Sequence, residues 1–331
     1  MANAVAKLNT IVIANIAKIN GITEANVAKL NTLIALSVSG NSAIFGYGTT
    51  GSQSSISNKV SNGGVVASDT SGVGTARSGL AAAGYGGDKA IFGYGYTGSY
   101  QSITNLVSNT GVVAANTSGV GTARYFLAAA GYDGDKAIFG YGRTSSYYSI
   151  SNKVSNSGVV ASNTSGVGTA RAFLAGASYG GDKAIFGYGE EPDGEDSAFL
   201  SITNLVSNSG VVASDTGGVG TARMILAAAG YGTDKVIFGY GDTGSPTAIT
   251  NLVSNSGVVA SDTTGVGTTR LALAAAMYGD DKAIFGYGEN TDLASGAGFS
   301  MTNLVSNTGV VAGNTTGVGT GRRRLAAASY G

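Results

Sequence analysis

The pentapeptide Ile-Phe-Gly-Tyr-Gly recurs along the chain, beginning at Ile44, Ile91, Ile138, Ile185, Ile237 and Ile284. Successive copies are 47 residues apart, with a single interval of 52. A unit of that size cannot bury its own apolar face, so the copies must stack on one another or around an axis. Glycine supplies 55 of the 331 residues and proline 2. The glycines keep fixed places in each unit, beside β-branched and aromatic residues. That pattern indicates short strands joined by tight turns, and fits neither collagen nor a Pro-rich tract.

The unit at 121–162 serves as the example. After Thr122-Ala123-Arg124, a first strand is predicted over Tyr125–Tyr132, followed by turn chemistry at Asp133-Gly134-Asp135-Lys136. A second strand covers Ala137–Gly142. A variable loop leads to a third, Ser149–Ser155, and Asn156-Ser157-Gly158 closes a hairpin with a fourth, Val159–Ser162. Four short antiparallel strands per unit make one propeller blade. Alanine is poor in ordinary strands, yet Ala81–Ala83, Ala128–Ala130, Ala227–Ala229, Ala274–Ala276 and Ala326–Ala328 all fall on the first strand. Crowding around a narrow axis explains this; a β-solenoid, the competing arrangement, would not need it in every coil. The first unit lacks that strand, and the chain ends on a spare one at Arg322–Gly331. Pairing Leu325–Tyr330 with Ala43–Tyr47 would complete the first blade and remove two exposed sheet edges. The expectation is an all-β, six-bladed β-propeller over 41–331, its C-terminal strand closing the first blade.

A shorter period occupies 1–36. Val5-Ala6-Lys7-Leu8-Asn9, Ile16-Ala17-Lys18-Ile19-Asn20 and Val27-Ala28-Lys29-Leu30-Asn31 repeat every 11 residues, as do Ile11, Ile22 and Leu33. An 11-residue period tracks one face of a helix at about 3.67 residues per turn. An isolated helix cannot hide such a stripe. Val5, Leu8, Ile11, Ile16, Ile19, Ile22, Val27, Leu30 and Leu33 are therefore expected to anchor the segment on sister copies or another protein, with 37–40 as a linker. A helix packed back on the propeller is the plainer alternative.

Composition narrows the function. Charged residues make up 11%, with 19 basic against 19 acidic. A neutral chain sets up no field for phosphate backbones, so nucleic acid is not an expected partner. Cysteine and histidine are both absent, which removes thiol chemistry, the commonest general base and the commonest transition-metal ligand. No apolar run reaches roughly 18 residues, so no membrane span is expected. The Lys-interrupted N-terminus lacks the form of a signal peptide. Ile-Phe-Gly-Tyr-Gly lacks the strand–turn–helix setting of a phosphate loop. No cofactor, metal site or catalytic set is expected.

The inner strand, short turn and Gly-rich second strand, at this period, resemble the kelch/galactose-oxidase class of propellers across 41–331. Gly-Tyr-Gly stands where that class has a double Gly, and its usual Trp is missing. A chromatin-regulator-type propeller is a weaker likeness. The copper chemistry of galactose oxidase is not implied, because its ligands have no counterparts here. The join of Ile16-Ala17-Lys18-Ile19-Asn20-Gly21-Ile22-Thr23 to these Gly/Ser/Ala/Tyr-rich units resembles tailed-phage virion proteins, particularly fibre and decoration proteins of marine phages. The resemblance implies a place on the particle surface and other virion proteins as partners.

Comparison among the copies locates the variation. The Asp-Lys turns (Asp88-Lys89 to Asp281-Lys282) and the Asn-x-Gly turns barely change. Differences gather in the loop after each Ile-Phe-Gly-Tyr-Gly and in the pair after each repeated Arg: Ser78-Gly79, Tyr125-Phe126, Ala172-Phe173, Met224-Ile225, Leu271-Ala272 and Arg323-Arg324. Strand alternation puts both on one face. Loops on a rigid scaffold are where binding usually resides, so Tyr96, Tyr100, Tyr125, Phe126, Arg143, Tyr147, Tyr148, Phe173, Phe199, Arg323 and Arg324 are the candidate contacts for a host glycan or receptor. Unconstrained drift is the rival explanation. Glu190–Asp196 reads as a solvated acidic loop, with Ca²⁺ binding as the alternative. Asp69, Asn116, Asn163, Asp215, Asp262 and Asn314 interchange acid with amide, which suits Asx-turn caps and not acid–base catalysis. Arg77, Arg124, Arg171, Arg223, Arg270 and Arg322 are expected to bond neighbouring blades, and Tyr47, Tyr94, Tyr141, Tyr188, Tyr240 and Tyr287 to pack between them. The expected whole is a non-enzymatic virion surface protein that docks through 1–36 and presents the variable face. A purely structural decoration protein, a cellular propeller interaction module and a propeller hydrolase are the alternatives.

Overall fold

The structure, a computed structural model, describes residues 40–193, 196–290 and 298–331. The expected N-terminal helical segment, its anchoring residues and nearly all of the linker lie outside the described residues. Those residues contain no helix. They form six three-stranded antiparallel sheets. The strands, in chain order, are β1 (Ser42–Gly46), β2 (Ser57–Val60), β3 (Ala81–Tyr85), β4 (Lys89–Tyr96), β5 (Tyr100–Val107), β6 (Ala128–Tyr132), β7 (Lys136–Gly140), β8 (Ser151–Val154), β9 (Ala175–Tyr179), β10 (Lys183–Asp193), β11 (Asp196–Val206), β12 (Ala227–Tyr231), β13 (Lys235–Asp242), β14 (Pro246–Val253), β15 (Ala274–Tyr278), β16 (Lys282–Gly286), β17 (Thr302–Val305) and β18 (Ala326–Tyr330). Five sheets are consecutive triplets. The remaining one has the order β18-β1-β2, with Ser42 opposite Tyr330 and Gly46 opposite Ala326. The architecture is consistent with a six-bladed propeller.

The middle strand of each sheet is apolar on both faces because a neighbouring sheet lies against each. Phe45 packs with Ile284 and Tyr287 of the sixth sheet, and Ile44, pointing the other way, packs with Phe92 of the second. Gly46 is where that neighbouring Phe enters: a Cβ there would stand 2.7 Å from Phe92. Tyr47 then takes φ 64, which ends β1 and turns its ring out of the ladder. An L-residue resists that conformation by roughly 1–2 kcal/mol, so something must hold it. The Tyr47 hydroxyl donates to the Val73 carbonyl at 3.0 Å. Its ring meets Phe92 edge-on at 5.1 Å and carries the Arg77 guanidinium at 4.3 Å. The other five Tyr have the same φ and the same partners.

The repeated Arg side chains are fully buried. Arg124 stacks on Tyr94 of the preceding sheet at 4.4 Å. It donates to the Tyr141 carbonyl at 2.6 Å, the Thr122 carbonyl at 3.0 Å and Asn152 Oδ1 at 2.9 Å. Arg322 joins the sixth and first sheets in a similar way, over Tyr287, onto the Thr320 carbonyl at 3.2 Å and onto Asn58 Oδ1 at 2.6 Å.

Two expectations are corrected. The fourth strand is not a strand: only Val154–Val160 and Ser151–Thr164 bridge there. Between these bridges two residues on β8 oppose three on its neighbour, so the segment is bulged and the ladder breaks. The Asn152 amide fills the gap, donating to the Ala161 carbonyl at 3.0 Å and to Asn163 Oδ1 at 3.0 Å. The Asx residues are likewise not turn caps. Each is tied to a distant Thr, as in Thr122 N–H to Asn163 Oδ1 at 3.1 Å and Asn163 Nδ2 to Thr122 Oγ1 at 2.7 Å. Where the residue is Asp215, the Thr169 hydroxyl donates instead, at 2.8 Å. A hydroxyl can donate or accept, which is why acid and amide interchange.

Candidate binding face

The alanine-rich strands β3, β6, β9, β12, β15 and β18 line a common cavity of about 240 Å³ with Tyr85, Tyr132 and Tyr330. Small side chains let six inner strands meet there. Toward the other end, Leu80, Leu127, Leu174, Leu226, Leu273 and Leu325 are buried, below the variable pairs.

Those pairs follow one geometry. The first residue bridges to the start of the variable loop in the same sheet: Ser78 to Tyr96, Tyr125 to Arg143, Ala172 to Glu190, Met224 to Asp242, Leu271 to Glu289 and Arg323 to Thr49. The second residue has positive φ in every copy, including Phe126 at 52°, Ile225 at 54° and Arg324 at 52°. A β-branched residue avoids that region, and the reason it is tolerated is a cycle of backbone hydrogen bonds. Gly79 N–H donates to the Arg324 carbonyl at 2.9 Å, Phe126 to Gly79 at 2.7 Å and Phe173 to Phe126 at 2.9 Å. Ile225 donates to Phe173 at 2.8 Å, Ala272 to Ile225 at 3.0 Å and Arg324 to Ala272 at 2.8 Å.

Above this cycle the side chains fall into unlike sectors. Tyr96, Tyr100 and Tyr125 form a triangle with centroids 5.7, 5.5 and 5.4 Å apart. Tyr125 meets Phe126 at 4.2 Å, and Phe126 stacks on Phe173 at 3.9 Å. Tyr100 is 39% exposed and the other rings are half-buried. Farther round, Ile225, Leu271 and Ala272 pack with Phe173 and Met224 into a small apolar cluster. Arg143 lies over the Tyr147 ring at 4.7 Å. It donates to the Tyr147 hydroxyl at 2.9 Å and to Glu190 Oε1 at 3.3 Å. Tyr147 donates to the same Glu190 oxygen at 2.6 Å. Burial, then the Glu190 carboxylate, pushes the Tyr147 phenol up to about 12. Tyr147 therefore remains a donor across the neutral range.

Glu190 does not belong to a solvated acidic loop. It is buried, drawn in by Arg143 and Tyr147, and its loop is in part a long hairpin of β10 and β11. Extended hairpins also replace the expected loops between β4 and β5 and between β13 and β14. Glu289 is buried as well and pairs with Arg323. Burial raises the Glu289 carboxyl above its ordinary value, against the pull of Arg323.

The face brings together Tyr96, Tyr100, Tyr125, Phe126 and Phe173, with Arg143 and Tyr147 alongside and Arg324 at the axis, its guanidinium 5.5 Å from the Phe126 centroid. Phe199 lies opposite Glu190 in the β10–β11 ladder. Tyr148 shares a hydrogen bond with Thr144 Oγ1 at 3.1 Å. Arg323 is buried against Glu289 and not held out from the face. Sequence reasoning missed Glu190 and Glu289 as partners. For Glu190 the signal was there: it occupies the repeat position held by Arg143 in the preceding copy, so those two adjacent units carry opposite charges. Among the described residues no three metal-ligating side chains converge, and no helix is long and apolar enough to cross a membrane.

No known protein-family model matches this chain, and no curated protein is similar enough in sequence to stand as a relative.

Proposed function

We propose that 40–331 is a closed six-bladed propeller that acts by binding, without turnover, and presents its diversified end to a glycan on a host surface. Closure is supported by contacts between the sixth and first sheets of the same kind as those between the others. The observation that carries the binding reading is the contrast within each unit. The backbone cycle at the axis is the same in every copy, while the side chains above it differ in size, charge and aromaticity. Flat aromatic rings give amphipathic contact area at low entropic cost, and the Tyr96–Tyr100–Tyr125 triangle continuing to Phe126 forms such a surface on this end. The resemblance of the N-terminal segment and the Gly/Ser/Ala/Tyr-rich units to tailed-phage fibre and decoration proteins supports a site on a virion surface. There 1–36 docks on other virion proteins or on sister copies, and many copies raise weak single-site affinity.

The test is a glycan array probed with the labelled full-length chain, followed by attachment of labelled particles to cells. Retention of a defined glycan set, reduced by Tyr100→Ala with Tyr125→Ala, is the expected result. Absence of binding to any glycan or cell surface would favour a purely structural decoration protein. One observation supports that second reading: Val65, Val112, Val159, Val211, Val258 and Val310 are well exposed at equivalent outer positions, where neighbouring subunits would cover them.

A further inference from the structure

Every arginine but one has a hydrogen-bonding partner. The six repeated arginines donate to backbone carbonyls, most also to an Asn side chain. Arg143 donates to Tyr147 and Glu190, and Arg323 to Glu289. Arg324 has no side-chain hydrogen-bond partner among the described residues. Its Nε is buried without an acceptor, as are those of Arg270, Arg322 and Arg323, but those three donate through their other nitrogens. Its guanidinium rests over the Phe126 ring, and Glu289, whose charge acts on it, is paired with Arg323.

The scaffold does not require a charge there. The equivalent residues are Gly79, Phe126, Phe173, Ile225 and Ala272, and the cycle of hydrogen bonds through them uses only backbone atoms. A half-buried guanidinium with no acceptor at any of its nitrogens loses solvation and gains no bond, so an arginine at this position needs a reason outside the fold. Gly79, between Arg324 and Phe126, has no side chain, and a Cβ there would stand 3.1 Å from the Phe126 ring. The axial hollow of about 80 Å³ is lined by Phe126, Phe173, Ile225, Ala272 and Arg324 over the leucine layer.

We propose that Arg324 is the anion-recognition residue of this face and that its ligand is a sugar bearing a carboxylate. A single planar guanidinium matches a carboxylate through two parallel N–H donors. A carboxylate on Arg324 would sit in this hollow, beside the Phe126 ring. The sugar ring is left to lie on Phe126, Tyr125 and Tyr100, its C–H edge against their electron-rich faces. The inference rests on reading this end as a glycan-binding face.

The experiment is calorimetric titration of the full-length chain with a glucuronate-terminated oligosaccharide, its neutral glucose counterpart and a sulfated counterpart. The wild type is expected to bind the glucuronate sugar at least about ten-fold more tightly than the neutral one, a difference that one charge-assisted pair can supply. Arg324→Gln should bring the two to equal affinity, by loss of glucuronate-sugar binding, at an unchanged melting temperature. Tyr100→Ala should weaken both sugars by the same factor. Equal wild-type affinities, a preference that survives Arg324→Gln, or tighter binding of the sulfated sugar would each overturn the carboxylate assignment and leave the glycan-binding face standing. Failure of all three sugars to bind would overturn the assignment, and failure across the wider array would remove the face with it.

Discussion

The two ends of the molecule are built on the same backbone device and differ in what the side chains do around it. At the end carrying the Asp-Lys turns, each turn donates to the next unit's Asp or Asn carbonyl: Gly86 to Asp135 at 2.6 Å, Asp133 to Asp182 at 2.7 Å and Gly279 to Asn41 at 2.6 Å. At the other end the cycle through Gly79, Phe126, Phe173, Ile225, Ala272 and Arg324 does the same work. The difference lies one bond away. At the uniform end the side chains join the linkage. Lys153 Nζ donates to the Ser209 carbonyl at 2.9 Å, and Lys59 Nζ to the Thr110 carbonyl at 2.8 Å. At the diversified end the cycle itself runs through backbone atoms only, and side-chain links such as Arg143 to Glu190 join particular pairs of units. A position whose only structural duty is its N–H and C=O can hold any side chain that tolerates the φ, which is why Phe, Ile, Ala, Gly and Arg all occur there. Uniformity and diversity are two outcomes of one linkage.

The strongest way to break this comparison is to remove the strand that both ends share. Deleting 326–331 removes β18, whose five residues pair with β1 and whose Ala326, Ala328 and Tyr330 are buried. The expected loss is on the order of the whole stability of a domain, about 5–15 kcal/mol. Circular dichroism should show no cooperative melt. A variant melting within a few degrees of the full chain would mean that β18 is an ornament.

Next in size is the contrast between two kinds of arginine. Arg124→Ala leaves Asn152 Oδ1 and the Tyr141 carbonyl without their buried donor, and is expected to destabilise by roughly 3–5 kcal/mol in urea titrations. Arg124→Lys should recover little, since one ammonium cannot stack on Tyr94 and reach three acceptors in the guanidinium's fork. Arg324→Ala, by the same measurement, should move stability by less than about 1 kcal/mol. Equal effects at the two sites would erase the distinction between scaffold and face.

How much of this could be read from the residues follows from how far apart the interacting groups are. Strand alternation within Ala-Ile-Phe-Gly is local, so the doubly buried middle strand was legible, as was the alanine-rich inner one. The pairing of the last strand with the first followed from counting strands, although Tyr47 at φ 64 ends β1 one residue before the expected limit. The bulge that dissolves the fourth strand depends on one extra residue, which composition does not reveal. The Asx residues were misread because their Thr partners lie 41, 46 or 251 residues away, beyond any turn. Glu190 was assigned to an acidic loop because five carboxylates stand close in sequence, while the Arg143 that buries it belongs to the preceding unit.

A smaller effect tests the Asx–Thr ties. Burial raises the Asp69 carboxyl, but hydrogen bonds from Thr320 and Asn58 outweigh it and hold Asp69 below the ordinary 3.8. Asp215 and Asp262 are lowered by the same balance. A carboxyl whose folded pKa is depressed stabilises the fold above its unfolded pKa and loses that stabilisation as pH falls through the folded value. The acid limb should therefore begin below about pH 4, where the unfolded carboxyls protonate. The variant Asp69→Asn with Asp215→Asn and Asp262→Asn copies the Asn116, Asn163 and Asn314 pattern and should flatten that limb. An acid limb as steep as that of the wild type would assign it to other carboxyls.

The smallest expected effect bears on the face itself. Tyr100 is the most exposed ring of the aromatic triangle, and its neighbours Tyr96 and Tyr125 also contact each other directly. Removing it leaves no buried cavity, so Tyr100→Ala should change unfolding free energy by no more than about 0.5 kcal/mol. Glycan retention on the array should nonetheless fall. That pairing of a silent stability result with a binding loss is what distinguishes a face built for contact from loops that have drifted. A Tyr100→Ala variant that destabilises by several times that amount would show the triangle to be part of the core, and the diversified end would then need a structural explanation.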